Sequence, residues 1–362
     1  VDTIVGGDEA DVITGGAGDD NLTGDAGNDT FHVDSGSDII TDLGGTAGGQ
    51  SDVLIVYATA TANATNVVNF TALNTTQNNS TDASNAVLTS KDGENTTIDV
   101  SAATGTSGAF TLTGGTGQDS LTGGAGADII SGGGEVDTIV GGDEADVITG
   151  GAGDDSLTGD AGNDTFHVDS GTDTVTDLGG SGGENDVLIV YDTASVNATD
   201  IISFTALDTT QNNSSDASNA VLRAKDGGNR TISVASATGT SGSFTLVSGD
   251  GNDYLTGGAG DDIIIIENAG EGDADTIDGG VGTDTLQLSS GTHTLTTENK
   301  LVGVENVTLS NSVSGTTIDL SNQTEIFTIT GGNFIDNITS GKGDDTIDGG
   351  GEADSITGGA GD

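Results

Sequence analysis

The sequence predicts an all-β chain built of parallel β-solenoid blocks with β-rich inserts between them. Three observations predict it. An aspartate recurs every ninth residue in a unit G-G-x-G-x-D-x-U-x, where U is a large apolar residue. The β-branched residues Val, Ile and Thr are abundant, and apolar residues at helical spacing are missing. Most of the 63 glycines share the nine-residue period, in a chain without proline, so they read as turns rather than as a flexible linker.

The elements follow in chain order. A first block, 1–41, carries Asp2, Asp11, Asp20, Asp29 and Asp38. An insert, 42–113, reads as strands "DVLIVY", "VVNFTAL", "NAVLTS", "TTIDV" and "AFTLTG", with "SKDGEN" a turn candidate because Asp-Gly tolerates positive φ. The longest block, 114–176, carries Asp119, Asp128, Asp137, Asp146, Asp155, Asp164 and Asp173 without interruption. A second insert, 177–247, duplicates the first, and residues 1–45 match 136–180 at all but four positions. The block 248–287 carries Asp253 and Asp262, loses register in "IIIENAGEGDADTIDGG", and resumes with Asp275 and Asp284. A β-rich segment, 288–330, precedes an incomplete block, 331–362, with Asp336, Asp345 and Asp354. Val1 aligns with the fifth position of a unit, and the last residues leave a unit unfinished. The expectation is a piece of a longer polypeptide.

Within a unit, the first six positions turn and x-U-x forms a minimal strand with U inward. Eighteen residues then make one coil. Leu121, Ile139, Leu157 and Val175 are expected to stack on one wall, and Ile130, Ile148 and Phe166 on the other. The aspartates of one edge stack likewise, Asp119 over Asp137 and Asp128 over Asp146.

Such stacking is costly. With 58 acids against six bases, the net charge is -52, which opposes compaction. Neighbouring strands lie about 4.7–4.9 Å apart. Unit charges at that spacing repel by roughly 3 kcal/mol per pair at an effective dielectric of about 20, against a typical stability of about 5–15 kcal/mol. A divalent cation between turns reverses the sign. Two Ca²⁺–oxygen bonds of about 2.3–2.6 Å span the strand spacing, whereas Mg²⁺ demands a tighter shell. Zinc is disfavoured by the absence of Cys and the presence of only three His. The cofactor expected is therefore Ca²⁺, about ten ions or more, with all nineteen repeat aspartates named above as ligands.

These tandem, in-register units resemble those of the repeats-in-toxin (RTX) calcium-binding proteins, over about 40 per cent of the chain. The inserts are similar to segments of very large RTX surface proteins. The resemblance implies a parallel β-roll with calcium held between turns by the unit aspartate and backbone carbonyls. It also implies an extracellular or cell-surface location, type I secretion from a Gram-negative cell, and folding on meeting external calcium.

Other features carry less. Glu9, Glu135, Glu144 and Glu352 replace the fourth-position glycine and are expected to be solvated, and "GGNFID" (331–336) loses that glycine. "GGSGG" (179–183) fits G-x-S-x-G, but no helix follows to make a nucleophile elbow. No catalytic constellation is present, and the chain is expected not to be an enzyme. His32, His167 and His293 are expected on strand surfaces, and Tyr57 and Tyr191 in the core. Acidity disfavours nucleic acid and anionic membranes as partners, and the longest aliphatic run, Ile263–Ile266, cannot span a bilayer. The function expected is a structural component of a cell-surface assembly, an S-layer lattice or filament. The alternatives are the stalk of a giant RTX adhesin, or the repeat region of a secreted toxin or hydrolase. Partners expected are further copies or modules of the same kind, with cell-surface polysaccharide or other cells as further possibilities.

Overall fold

A computed structural model describes residues 1–45, 50–80, 85–180, 184–214, 220–239, 242–267, 275–310 and 314–361. Chain contacts divide it into two units, Val1–Thr174 and Val175–Asp362. Each is a parallel β-solenoid, and no α-helix occurs among the described residues.

In the first unit, one wall is laid down by Thr3–Gly7, Asn21–Asp25, Gly36–Ile40, Ala60–Val67, Ala86–Ser90, Thr111–Gly115, Ile129–Gly134, Val147–Ala152 and Thr165–Val168 in succession. The insert 42–113 thus adds strands to the same wall as the repeats. The opposite side behaves differently. A sheet of Val12–Thr14, Thr30–Val33, Val53–Val56 and Gln77–Asn78 ends inside the insert. A new one begins there with Phe70–Thr71 and runs on through Thr97–Asp99, Ser120–Thr122, Thr138–Asp143 and Ser156–Ala161. The insert therefore carries one wall through and exchanges the other. Its coils are longer to make room for the third side. Ala86 pairs with Ala62 and Leu88 with Leu112, a spacing of 24 residues, whereas repeat coils advance by 18.

The second unit repeats the device. Its through wall runs from Ala194–Ile201 by way of Ala220–Ala224, Thr245–Val247, Ile263–Ile266, Thr285–Ser289, Asn306–Ser310 and Thr328–Thr330 to Thr346–Asp348. Opposite it, the sheet that starts at Ser203–Thr205 ends at Leu301–Val302, and another starts at Gly291–Thr294 and ends at Ser355–Thr357. The segment 288–330 is thus a further wall exchange. "SKDGEN" is a corner rather than a hairpin: Gly93 has φ 78°, and the strands on either side, Ala86–Ser90 and Thr97–Asp99, belong to different sheets.

The core follows from the period of two along each strand. Leu121 pairs with Ile139 and Ile139 with Leu157, while Ile130 pairs with Ile148 and Ile148 with Phe166. All are fully buried, as are the insert phenylalanines Phe70, Phe110, Phe204 and Phe244. Two expectations are corrected. His293 is not on a strand surface; it occupies the inward position opposite Ile318, fully buried, with Nε2 bonded to the Ser289 carbonyl. Tyr57 and Tyr191 are not core residues: each is 40 % exposed. Val56 and Val190 end the inward row of their strands, so the next residue points out, and Tyr57 stacks there on the outward His32, its hydroxyl 3.1 Å from Nδ1. Residues 181–183 of "GGSGG", Asp82, and 268–274 of the irregular stretch lie outside the described residues.

One strand supplies a matched test of this core. Ile148→Ala should cost about 2–5 kcal/mol by urea unfolding at saturating calcium. Its outward neighbour Thr149→Ala should change stability by no more than about 0.5 kcal/mol.

Candidate metal centre

The repeat aspartates form ladders along the turns between walls. Along most of each ladder, the backbone N–H of one aspartate donates to Oδ1 of the aspartate one coil later. Asp119 bonds to Asp137 at 2.7 Å, Asp128 to Asp146 at 2.7 Å, Asp137 to Asp155 at 2.8 Å, Asp146 to Asp164 at 2.8 Å and Asp155 to Asp173 at 3.1 Å. Elsewhere Asp2 bonds to Asp20, Asp11 to Asp29 and Asp20 to Asp38. Asp253 bonds to Asp275, Asp262 to Asp284 and Asp336 to Asp354, the first two over 22 residues and the last over 18. Asp345 takes the Phe327 amide. Asp2 is exposed, Asp11, Asp345 and Asp354 are half-buried, and the other repeat aspartates are buried.

This bond accounts for half of each carboxylate. The second oxygen of Asp20, Asp29, Asp38, Asp119, Asp137, Asp146, Asp155, Asp173 and Asp284 is buried without a hydrogen-bond partner. Buried polar atoms without partners are rare in native proteins, and a buried carboxylate oxygen calls for a proton or a cation. Burial also raises several ladder carboxylates, open or partnered, Asp128 to about 7 among them. Burial, followed by the charges of Asp128, Asp164 and Asp143, pushes Asp146 up to about 8. Burial, then Asp155 and Asp119, pushes Asp137 up to about 7. Asp173 and Asp284 are raised to about 7 for the same two reasons.

The first glycine of the unit makes room for this oxygen. A Cβ on Gly150 would meet Asp155 Oδ2 at 2.6 Å. On Gly132 it would strike Asp137 Oδ2 and come within 2.6 Å of the Gly150 carbonyl oxygen, one coil on. Carboxylate and carbonyl from neighbouring coils therefore converge on a space that only glycine leaves open. Among the described residues no three acidic or histidine side chains gather at one point, so carbonyls must complete any coordination shell. An all-oxygen set of this kind fits Ca²⁺. The four glutamates at the fourth position are exposed, and Glu135, Glu144 and Glu352 hold left-handed backbone at φ 66–72°.

The family model for the RTX calcium-binding nonapeptide repeat matches residues 5–40, 104–139, 140–175, 238–265, 269–292 and 330–362, just over half of the chain. The chain belongs to that family, whose repeats bind Ca²⁺ and are typical of secreted proteins. No curated protein matches it. No helix among the described residues is long and apolar enough to cross a membrane. The matches reach into the ends of both inserts, where Phe110 and Phe244 stand at the ladder position one coil before Asp128 and Asp262.

Three acids that the nine-residue count passes over belong to or sit beside the ladders. Asp29 donates to Asp52 Oδ1, and Asp52 Oδ2 takes the Gly44 amide. Asp186 accepts from Gly179 in the duplicate insert. Asp284 donates to Glu305. Each precedes an inward apolar residue by two, in "DVL" and "ENV", and that D-x-U fragment without its glycines was the available signal.

The raised carboxylates fix the pH dependence of the metal-free chain. Protonation favours the folded form, so the stabilisation is fully present below the ordinary value of 3.8 and is lost as pH rises through about 7 to 8. Calcium-free protein should gain β circular dichroism on acidification from pH 9 to 5, and added calcium should hold the signal at pH 9. A calcium-free β signal that stays constant or falls on acidification would contradict the buried ladder.

Proposed function

We propose that Ca²⁺ is held between successive coils by the repeat aspartates, chiefly those with an unpartnered Oδ2, together with glycine carbonyls of the turns. The observation that carries this reading is the row of buried, unpartnered carboxylate oxygens, four of which, in Asp119, Asp137, Asp146 and Asp284, share the space over their unit's first glycine with a carbonyl of the neighbouring coil. A cation there offsets the repulsion within the ladder. Because it binds the folded chain alone, it adds its binding free energy to folding. Chelation should lower the β circular dichroism at pH 8 by the share the ladders carry, and millimolar Ca²⁺ should restore it where Mg²⁺ does so poorly. Asp146→Asn should shift the calcium midpoint upward by several-fold and lower cooperativity. Asp208→Asn, exposed in the second insert, should leave the titration unchanged. Equal shifts for the two variants would overturn the assignment.

On the same basis we read the chain as a calcium-stiffened structural element of an extracellular surface assembly, an S-layer lattice or filament, without enzymatic activity of its own. The duplicated module, which repeats both the ladders and the wall exchange, supports a building element used in series. Its partners are then further copies or modules, joined where calcium bridges acidic surfaces. Electron microscopy and light scattering of the native protein should show sheets or fibres that dissolve on chelation. Monodisperse particles at high protein and calcium concentration would instead favour the adhesin stalk or the repeat region of a secreted toxin or hydrolase.

A further inference from the structure

The repeat aspartates are not equivalent. In Asp128, Asp253, Asp262, Asp336 and Asp345, Oδ2 has a partner. It accepts the backbone N–H of the second residue of its own unit: Gly124 at 2.8 Å, Gly249 at 3.0 Å, Gly258 at 2.7 Å, Gly332 at 2.9 Å and Gly341 at 3.2 Å. Ser340 Oγ adds a second bond at Asp345. A carboxylate with both oxygens on amides is satisfied without a cation.

The backbone divides the same way. In units with an open Oδ2 and a glycine second, that glycine is left-handed: Gly16 at φ 87°, Gly133 at 111°, Gly142 at 124°, Gly151 at 105° and Gly280 at 96°; Asp38 and Asp173, with Asp34 and Asp169 second, are open without this setting. Gly124, Gly249, Gly258 and Gly341 lie outside that region. Rotating this peptide turns its N–H onto Oδ2 or away from it.

Position in the chain divides them too. All five satisfied aspartates stand in the first roll coil after a strand-rich segment. Their Oδ1 takes the amide of Phe110, Arg230, Phe244, Thr316 or Phe327, so no carboxylate stands on the coil before. Asp119 separates the two explanations. It also follows an insert, with Thr96 before it, yet its second residue, Gly115, is left-handed at φ 122° and its Oδ2 is open. Where the second residue is glycine, its backbone setting, rather than the place in the block, tracks the open oxygen.

We propose that the second-position glycine, in the units that have one, sets the unit in one of two states. Left-handed, it leaves Oδ2 free for calcium. Otherwise its amide closes Oδ2, and the aspartate becomes a metal-independent clasp that fastens the first roll coil to the segment before it. Asp128, Asp253, Asp262, Asp336 and Asp345 are such clasps, and they supply no Oδ2 ligand to calcium. This rests on the calcium reading above.

The test is a crystal structure of the wild-type chain grown in calcium, with anomalous difference density, and native mass spectrometry of variants at saturating calcium. Density is expected beside Oδ2 of Asp137, Asp146 and Asp155 and absent beside the five clasps. Asp146→Asn, which keeps an acceptor for the Asp128 amide, should carry fewer ions than wild type. Asp128→Asn and Asp262→Asn, in different units, should carry the wild-type number and unfold more readily without calcium. Ions against Oδ2 of the clasps, or equal ion loss in all three variants, would overturn the two-state assignment alone. The crystal result needs no variant to fold. No ion at any repeat aspartate would overturn the calcium reading itself.

Discussion

The structure depends on one hydrogen bond repeated along each turn edge: an aspartate amide donating to the carboxylate of the aspartate one coil later. It fixes the rise between coils to the parallel strand spacing. It also draws like charges into a row from which water is excluded. The acid that orders the turn is thereby the acid that destabilises it. The remaining oxygen leaves the row dependent on what the solvent supplies, a proton or an ion. The first-position glycine belongs to the same constraint, since any Cβ would occupy the space the carboxylate takes.

The strand-rich segments answer the problem in another way. Several of their coils carry phenylalanine or threonine where the roll carries aspartate, as at Phe110, Thr96 and Phe244, and bury apolar volume there instead of charge, while Asp52 keeps the acid. Each segment therefore gives the neighbouring roll a strand edge whose stability does not rest on an ion. Roll and insert share walls and register but differ in what holds successive coils together. Folding can start from the insert edges and extend into the ladders as cations arrive.

Much of this was legible in the sequence because two periods coincide. The nine-residue unit names the inward residues, and doubling it names their neighbours, so the stacking of Ile130 on Ile148 and of Asp128 on Asp146 follows by counting. Counting fails where the coil changes length. The 24-residue coils of the inserts have no repeated motif, and nothing in "VVNFTAL" announces that one wall ends and another begins. Asp52 and Glu305 were hidden for the same reason, keeping D-x-U chemistry without the glycines. His293 and Tyr57 turned on the parity of a single strand, which composition does not fix. The two settings of the second glycine were out of reach of the sequence, because Gly124 and Gly142 are the same residue in similar units and differ only in φ.

The through wall of each unit has a consequence for how such a chain is inherited. Parallel strands in a continuous wall are interchangeable: each offers the same edge to the next, whether the coil behind it holds 18 residues or 24. A genetic exchange that adds or removes a whole coil rejoins strand to strand and inward residue to inward residue, leaving no unmatched edge inside the stack. Length can then drift without passing through an unfolded intermediate sequence. The near-identity of 1–45 and 136–180 is the kind of record that such exchange leaves.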